Sequence, residues 1–463
     1  MNAAPLALLA CSVFAAANRR LPPLTQPLSP AAPALIPALP PLPDLSAMPA
    51  LAPLQLQASE PQKDQAAVLK ALTEWLAELP APAPAGETDA MSAQLKFDGA
   101  SLHASGGEPA IQADAPGWTR SSFESADGLN IEYKRRDGDP AKPARIFSGG
   151  LAMNESFEPL FALGPARAGA EYFLWTRSHP PTGWRRTAVP LDADARDLAR
   201  LIVRAGPKAE LVLHSYGTLV FQRMTQLAAS EAEPAEALRR LSGQRVVMLH
   251  ATTHYPGSER KAGPSFEQMA TATRQFVDGL DRLDAVVAPW EAAAEATPWM
   301  RPQIEAMLIP WRAQREQLIA LAARGAVDMM RADLAEKWHP SFDALRLAQL
   351  DLLERNARDA GWKEAMLRRS RDMFVLDFTK KDVQRLRDHG VRLEFVHGAG
   401  DKLLNWASAK VLFDLFGVIA PADAPPAGTK LSDGAGLFTA RVVDGDHYFP
   451  LKKRGELSRM LAR

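Results

Sequence analysis

The sequence predicts an α/β fold: a mostly parallel sheet with helices on both faces and an inserted all-helical segment. Three observations carry this reading. Short apolar runs alternate with amphipathic helical stretches from about residue 115 to residue 260. From Ser265 to His389 the pattern is helical alone. Strand-like runs then return at "VRLEFVHGAGD" and "LFTARVVDGDHYF". Strands joined through helices run parallel, and their faces are covered on both sides.

The chain has 463 residues and 47% apolar content, enough for a large core. Residues 1–19 are apolar and end in small residues, too short a stretch for a confident membrane span. They resemble a signal segment without its basic start, and "LLAC" resembles a lipoprotein processing site at Cys11. An Ala-rich disordered start is the alternative. Residues 20–62 are dense in Pro, Ala and Leu and read as a polyproline-type or disordered linker. Residues 63–80 read as a short amphipathic helix, with Val68, Leu69, Leu72, Trp75, Leu76 and Leu79 on one face and Asp64 as N-cap. It docks on the main body or binds a partner, and docking is preferred; the sequence does not name a partner for the Pro-rich region. A signal-like start and a Pro-rich spacer point to export or envelope attachment, with the cytoplasm as the alternative.

The body is expected over 115–260 and 385–463. "TRSSFESADGLNIEYKRR" reads as two strands turning at Asp127-Gly128. "ARIFSGG" and "AEYFLW" are strands, and "LDADARDLARLIVRAG" is a helix stopped by Gly206. "AELVLHSYG" is a strand, "TLVFQRMTQLAASEA" a helix and "QRVVMLHAT" a strand. Residues 261–384 are expected to form a helical cap, opened by a capping box of Ser265 and Gln268. Its Trp and Met residues, among them Trp290, Trp311 and Trp362, are first of all its core.

Charge and cysteine usage exclude several functions. Lys+Arg and Asp+Glu balance at 54 each, so nothing electrostatic argues for a nucleic-acid partner. Cys11 is the single cysteine, so no internal disulfide and no cysteine metal site can form. His250 and His254 lie near each other, but no third ligand is suggested nearby, and they read as structural or pocket-lining. No metal and no organic cofactor is expected.

Three strand ends offer the parts of an acyl-transfer site. Ser215 follows "AELVLH", Asp401 follows "VRLEFVHGAG", and His447 follows "FTARVVDGD". A serine hydroxyl needs an adjacent base, a histidine suits that role, and a carboxylate fixes the imidazole tautomer. Sites in parallel sheets gather at the carboxyl ends of strands. Asp444 and Asp446 are rival carboxylates, but they stand too close to His447 in sequence for a good bond to its ring.

From about residue 120 onward the chain resembles the α/β-hydrolase family. His214-Ser215-Tyr216-Gly217 is similar to its Gly-x-Ser-x-Gly turn, and the order Ser, Asp, His is the family's. "GDHYFPL" and "HGAGDKLL" are similar to its histidine and acid loops. The resemblance implies Ser215 as nucleophile, His447 as general base and acid, and Asp401 as the orienting carboxylate. It implies an oxyanion hole from the N–H groups of Tyr216 and Leu151. The other family position for the acid, in "HATTHYPG", holds no carboxylate. Leu213 stands where the first motif glycine belongs, which predicts crowding or a compensating gap. Ser148-Gly149-Gly150-Leu151 replaces the usual His-Gly opening of the oxyanion loop. The expected activity is hydrolysis of carboxylic esters or thioesters through an acyl-enzyme, on a small apolar substrate. Acyl transfer to another acceptor and a non-catalytic binding role are the alternatives.

Overall fold

The computed structural model describes residues 117–150, 169–174, 190–251, 266–335 and 347–461, with short gaps at 299, 348–349, 352, 355, 402–403 and 453. The three N-terminal segments, 1–19, 20–62 and 63–80, lie outside these residues, as do Leu151, His254 and Ser265. Strands β1 (Trp118–Glu124) and β2 (Asn130–Arg136) form the expected hairpin, with Phe123 opposite Ile131. Gly128 takes φ 79° in its turn, a conformation that favours glycine.

The strands that follow are β3 (Ala144–Ser148), β4 (Glu171–Leu174), β5 (Ala209–His214), β6 (Arg245–Leu249), β7 (Arg392–Gly398), β8 (Lys430–Ser432) and β9 (Phe438–Val443). Among the described residues they form one sheet in the order β1-β2-β4-β3-β5-β6-β7-β9-β8. The run β4-β3-β5-β6-β7-β9 is parallel throughout. Antiparallel pairs close both edges, β1-β2-β4 on one side and β8-β9 on the other. Every residue of β3 and β4 is buried, as expected of strands covered on both faces.

Helices α1 (Pro190–Ala205), α2 (Tyr216–Leu227) and α3 (Ala232–Arg240) lie between strands β4 and β6 in sequence. One face of the sheet packs with them into a continuous core, in which Leu211, Leu213 and Met248 join Leu198, Phe221 and Met224. Helix α3 is an addition to the sequence reading, whose helix in this stretch ends at Ala232. Helix α2 stops at Leu227, and Pro234 sits in the first turn of the next helix, where proline is tolerated.

Between β6 and β7 the described residues are helical, as read: α4 (Phe266–Ala296), α5 (Arg301–Ala335), α6 (Ala360–Val375) and α7 (Lys380–Asp388). The chain divides into two compact units. The described part of one is Ala272–Ala322; that of the other is the described residues of 117–271 and 323–461. Within the first, Arg315 pairs with Asp284 at 2.7 Å and ties α4 to α5. Within the second, α6 packs against α1 and α7 against α2. Asp359 caps α6 by accepting the Trp362 N–H, and Thr379 with Asp382 forms a capping box on α7. Helices α8 (Trp406–Phe416), α9 (Phe449–Lys452) and α10 (Arg454–Leu461) complete the second unit. No described helix is long and apolar enough to cross a membrane.

Candidate active site

Ser215 stands between the last residue of β5 and the first of α2, at φ 50° and ψ −114°. Only one other described non-glycine residue has a positive φ, His250. Such a backbone costs on the order of 1–3 kcal/mol and persists only where the surroundings hold it. Here the Ser215 N–H donates to the Leu249 carbonyl at 3.0 Å, and the Ser215 carbonyl accepts the Thr218 N–H at 2.9 Å. A serine at a helix N-cap ordinarily turns its hydroxyl onto the first-turn N–H groups. Ser215 makes no such bond. Its hydroxyl reaches His447 instead.

Gly217 explains half of the sequence motif. A Cβ there would lie 2.8 Å from the Ser148 carbonyl oxygen, a backbone atom that cannot yield cheaply. The Gly217 N–H donates to the Gly149 carbonyl at 3.1 Å, so the turn is sewn to the end of β3. Leu213 causes no such conflict. It is fully buried and belongs to the core of the sheet face.

Asp401 and His447 arrive on two loops stitched together. The Ala399 N–H donates to the Val443 carbonyl at 2.9 Å and the Gly400 N–H to the Gly445 carbonyl at 2.8 Å. Gly398 permits this approach, because a Cβ there would lie 2.5 Å from the Gly445 oxygen. Asp401 and His447 are consequently adjacent. His447 Nδ1–H donates to Asp401 Oδ2 at 3.0 Å, and Ser215 Oγ–H donates to His447 Nε2 at 3.1 Å. Asp401 Oδ1 accepts the Leu404 N–H at 2.8 Å. Asp446 is occupied elsewhere, accepting the Tyr448 N–H at 2.9 Å.

These positions fix the fold type. Serine, acid and histidine follow β5, β7 and β9 in one parallel sheet, in the chain order Ser, Asp, His. The fold is of the α/β-hydrolase type. No family model matches the chain, and no curated protein does. Among solved structures it is similar to the Cif epoxide hydrolase from Acinetobacter nosocomialis, at 13% identity and a TM-score of 0.44 over 76% of this chain and 90% of that one. It is also similar to an esterase from Exiguobacterium antarcticum, at 15% identity and 0.41 over 74% and 97%. A third is the enol-lactonase from Burkholderia xenovorans LB400, at 14% and 0.40 over 74% and 98%.

Around Ser215, Asp401 and His447 lie three more buried histidines. His250 Nδ1–H donates to the same Asp401 Oδ2 at 2.7 Å, and His214 Nε2–H donates to the His447 carbonyl at 3.1 Å. His397 lies beside His250, with ring centroids 6.0 Å apart. Burial pushes the His214 ring well below the usual imidazole range, helped by the neighbouring His447 and His250. Burial likewise lowers His250 against the pull of Asp401, and lowers His397 to about 4. Burial would raise Asp401, but His447 and the two ring hydrogen bonds outweigh it and hold the carboxyl well below its ordinary value.

The sequence reading set His250 aside as structural or pocket-lining. What it lacked was the partner on Asp401. Among the described residues one group of metal-ligand type converges, His250, Asp401 and His447, with ligand atoms within 4.8 Å of one another. The 2.7 and 3.0 Å separations are those of N–H to carboxylate hydrogen bonds, each Nδ1 bearing a proton. Tyr216 opens α2, so its backbone N–H has no intrahelical acceptor. Its phenol donates to Asp194 at 2.7 Å and anchors the residue. Leu151, the other expected oxyanion donor, lies outside the described residues.

Proposed function

We propose that this protein is a serine hydrolase that cleaves carboxylic esters or thioesters through an acyl-enzyme. The observation that supports it best is a strained Ser215 whose hydroxyl forgoes the helix cap and meets a histidine 3.1 Å away, itself held by a buried carboxylate. Ser215 Oγ attacks the substrate carbonyl while His447 Nε2 takes its proton. Asp401 balances the imidazolium, and the N–H groups of Tyr216 and Leu151 receive the oxyanion. The tetrahedral intermediate collapses, and His447 returns the proton to the departing alcohol or thiol. Water, deprotonated by His447, then attacks the acyl-enzyme and releases the acid. Serine acyl chemistry of this kind needs no metal and no organic cofactor. The expected substrate is a small apolar acyl compound.

A fluorophosphonate probe is expected to label the purified chain at Ser215, read by mass spectrometry, and Ser215→Ala is expected to abolish labelling. A folded wild type that stays unlabelled defeats the reading. An acyl-chain-length panel run with water and with added alcohol then separates hydrolysis from transfer.

A further inference from the structure

We infer that His250 is a positioning residue for Asp401: its ring N–H holds the carboxylate so that Oδ2 faces His447, and proton transfer from Ser215 depends on that hold. The inference rests on the serine-hydrolase reading above and adds a residue to it. His250 is the first residue beyond β6, and its N–H donates to the Val396 carbonyl of β7 at 2.8 Å. Its backbone is thus anchored while φ is 53°, a conformation that only a firmly held non-glycine residue keeps. The other described residue of this kind is Ser215 itself. Two strained strand ends, side by side in the sheet, aim their side chains into one constellation.

On Asp401 Oδ2, the bond from His250 at 2.7 Å is shorter than the one from His447 at 3.0 Å. An ionised carboxylate only accepts, so both rings carry their proton on Nδ1. For His447 this leaves the Nε2 lone pair facing Ser215, as base chemistry requires. For His250 it leaves Nε2 buried with no hydrogen-bond partner. A single carboxylate balances a single imidazolium. His250 therefore serves as a neutral donor while the cation develops on His447. The titratable groups facing the pair are His214 from β5, His397 from β7, Asp401 from the acid loop, and Asp446 beside His447. Without His250, the Asp401 charge is less spread and water gains access to the pair. Both changes favour the protonated base, and the carboxylate loses one of its restraints.

The experiment follows the second-order rate of fluorophosphonate labelling against pH, on the full chain, for wild type, His250→Ala and His250→Asn. Asparagine tolerates positive φ and carries an N–H donor close to the position of Nδ1. His250→Ala is expected to label about 10–100-fold more slowly, the scale of a misplaced catalytic group. Its acid limb is expected to move to higher pH by about half a unit or more. His250→Asn is expected to recover most of the rate and the wild-type limb. A labelled wild type with an unmoved rate and limb in His250→Ala overturns this inference alone. So does an equal loss in both variants with an unmoved limb, the mark of packing. A wild type unlabelled at Ser215 overturns the hydrolase reading and this inference with it. Should His250→Ala fail to fold, ring 15N shifts of the wild type decide. A proton on His250 Nδ1 supports the hold, and a proton on Nε2 alone overturns it.

Discussion

At the scale of single residues, the two glycine positions of the serine turn obey different constraints. Gly217 answers to backbone, the Ser148 carbonyl, which cannot move without pulling β3 apart. Position 213 faces side chains, and there a leucine fills the core between β3 and β6, opposite Ser148 and Met248. The crowding expected from the missing glycine is thus met by packing rather than by strain. Leu213→Gly restores the family-like motif and should nevertheless harm the protein. It deletes a fully buried leucine and adds backbone freedom, a loss of about 3–5 kcal/mol. Urea unfolding of the two proteins checks this. A variant as stable as wild type would mean that the turn does crowd Leu213, contrary to the packing seen.

At the scale of elements, α6 holds the helix that begins beside Ser215. Arg369 on α6 donates to Asp194 on α1 at 3.2 Å, and Tyr216 at the head of α2 donates to the same oxygen at 2.7 Å. Both members of the ion pair are almost wholly buried, at 3% and 1% side-chain exposure. Burial alone would lower the guanidinium, but the Asp194 charge more than compensates and raises it. Removing one partner of a buried pair strands the other, so Asp194→Leu should cost about 3–5 kcal/mol. Thermal unfolding measures it, and a loss below 1 kcal/mol would deny that this pair joins the three helices. Such cross-links also mark the limit of what the sequence reveals. The strands were legible because β3, β5, β6, β7 and β9 are apolar runs between turn residues. Ser215, Asp401 and His447 were legible because each closes one of those runs. Strand β8 was not, since its three residues Lys430–Ser432 are mostly exposed at the sheet edge and carry no apolar period. The bond from His250 to Asp401 spans 151 residues and has no local signature at either end. Residue type suggests what a side chain can do, whereas only the sheet order decides which distant loop it meets.

At the scale of the whole molecule, the unit that carries the sheet stores neutral histidines around its site, and this makes its stability depend on pH. His397 is buried, at 2% exposure, with its ring edge-on to Trp406 at 5.7 Å. In the unfolded chain a histidine takes up a proton near pH 6.5, whereas burial delays His397 in the native state to about 4. Between those values the unfolded state binds more protons, so unfolding becomes easier as pH falls. The loss from this one ring reaches about 3 kcal/mol by pH 4. His214 and His250 are lowered in the same direction and add to it. Asp401 acts with them at more acid pH, because its native carboxyl holds off protonation below the unfolded value. Stability should therefore be full above pH 6.5 and decline steadily toward pH 4. His397→Phe keeps an aromatic ring against Trp406 and removes one proton from the linkage. Its unfolding free energy, from urea titration, should fall less steeply between pH 6.5 and 4.5, by up to about 1.4 kcal/mol per pH unit. A variant that tracks the wild-type slope would show that native His397 already titrates near pH 6.5, and that the ring is open to solvent in a way its burial denies.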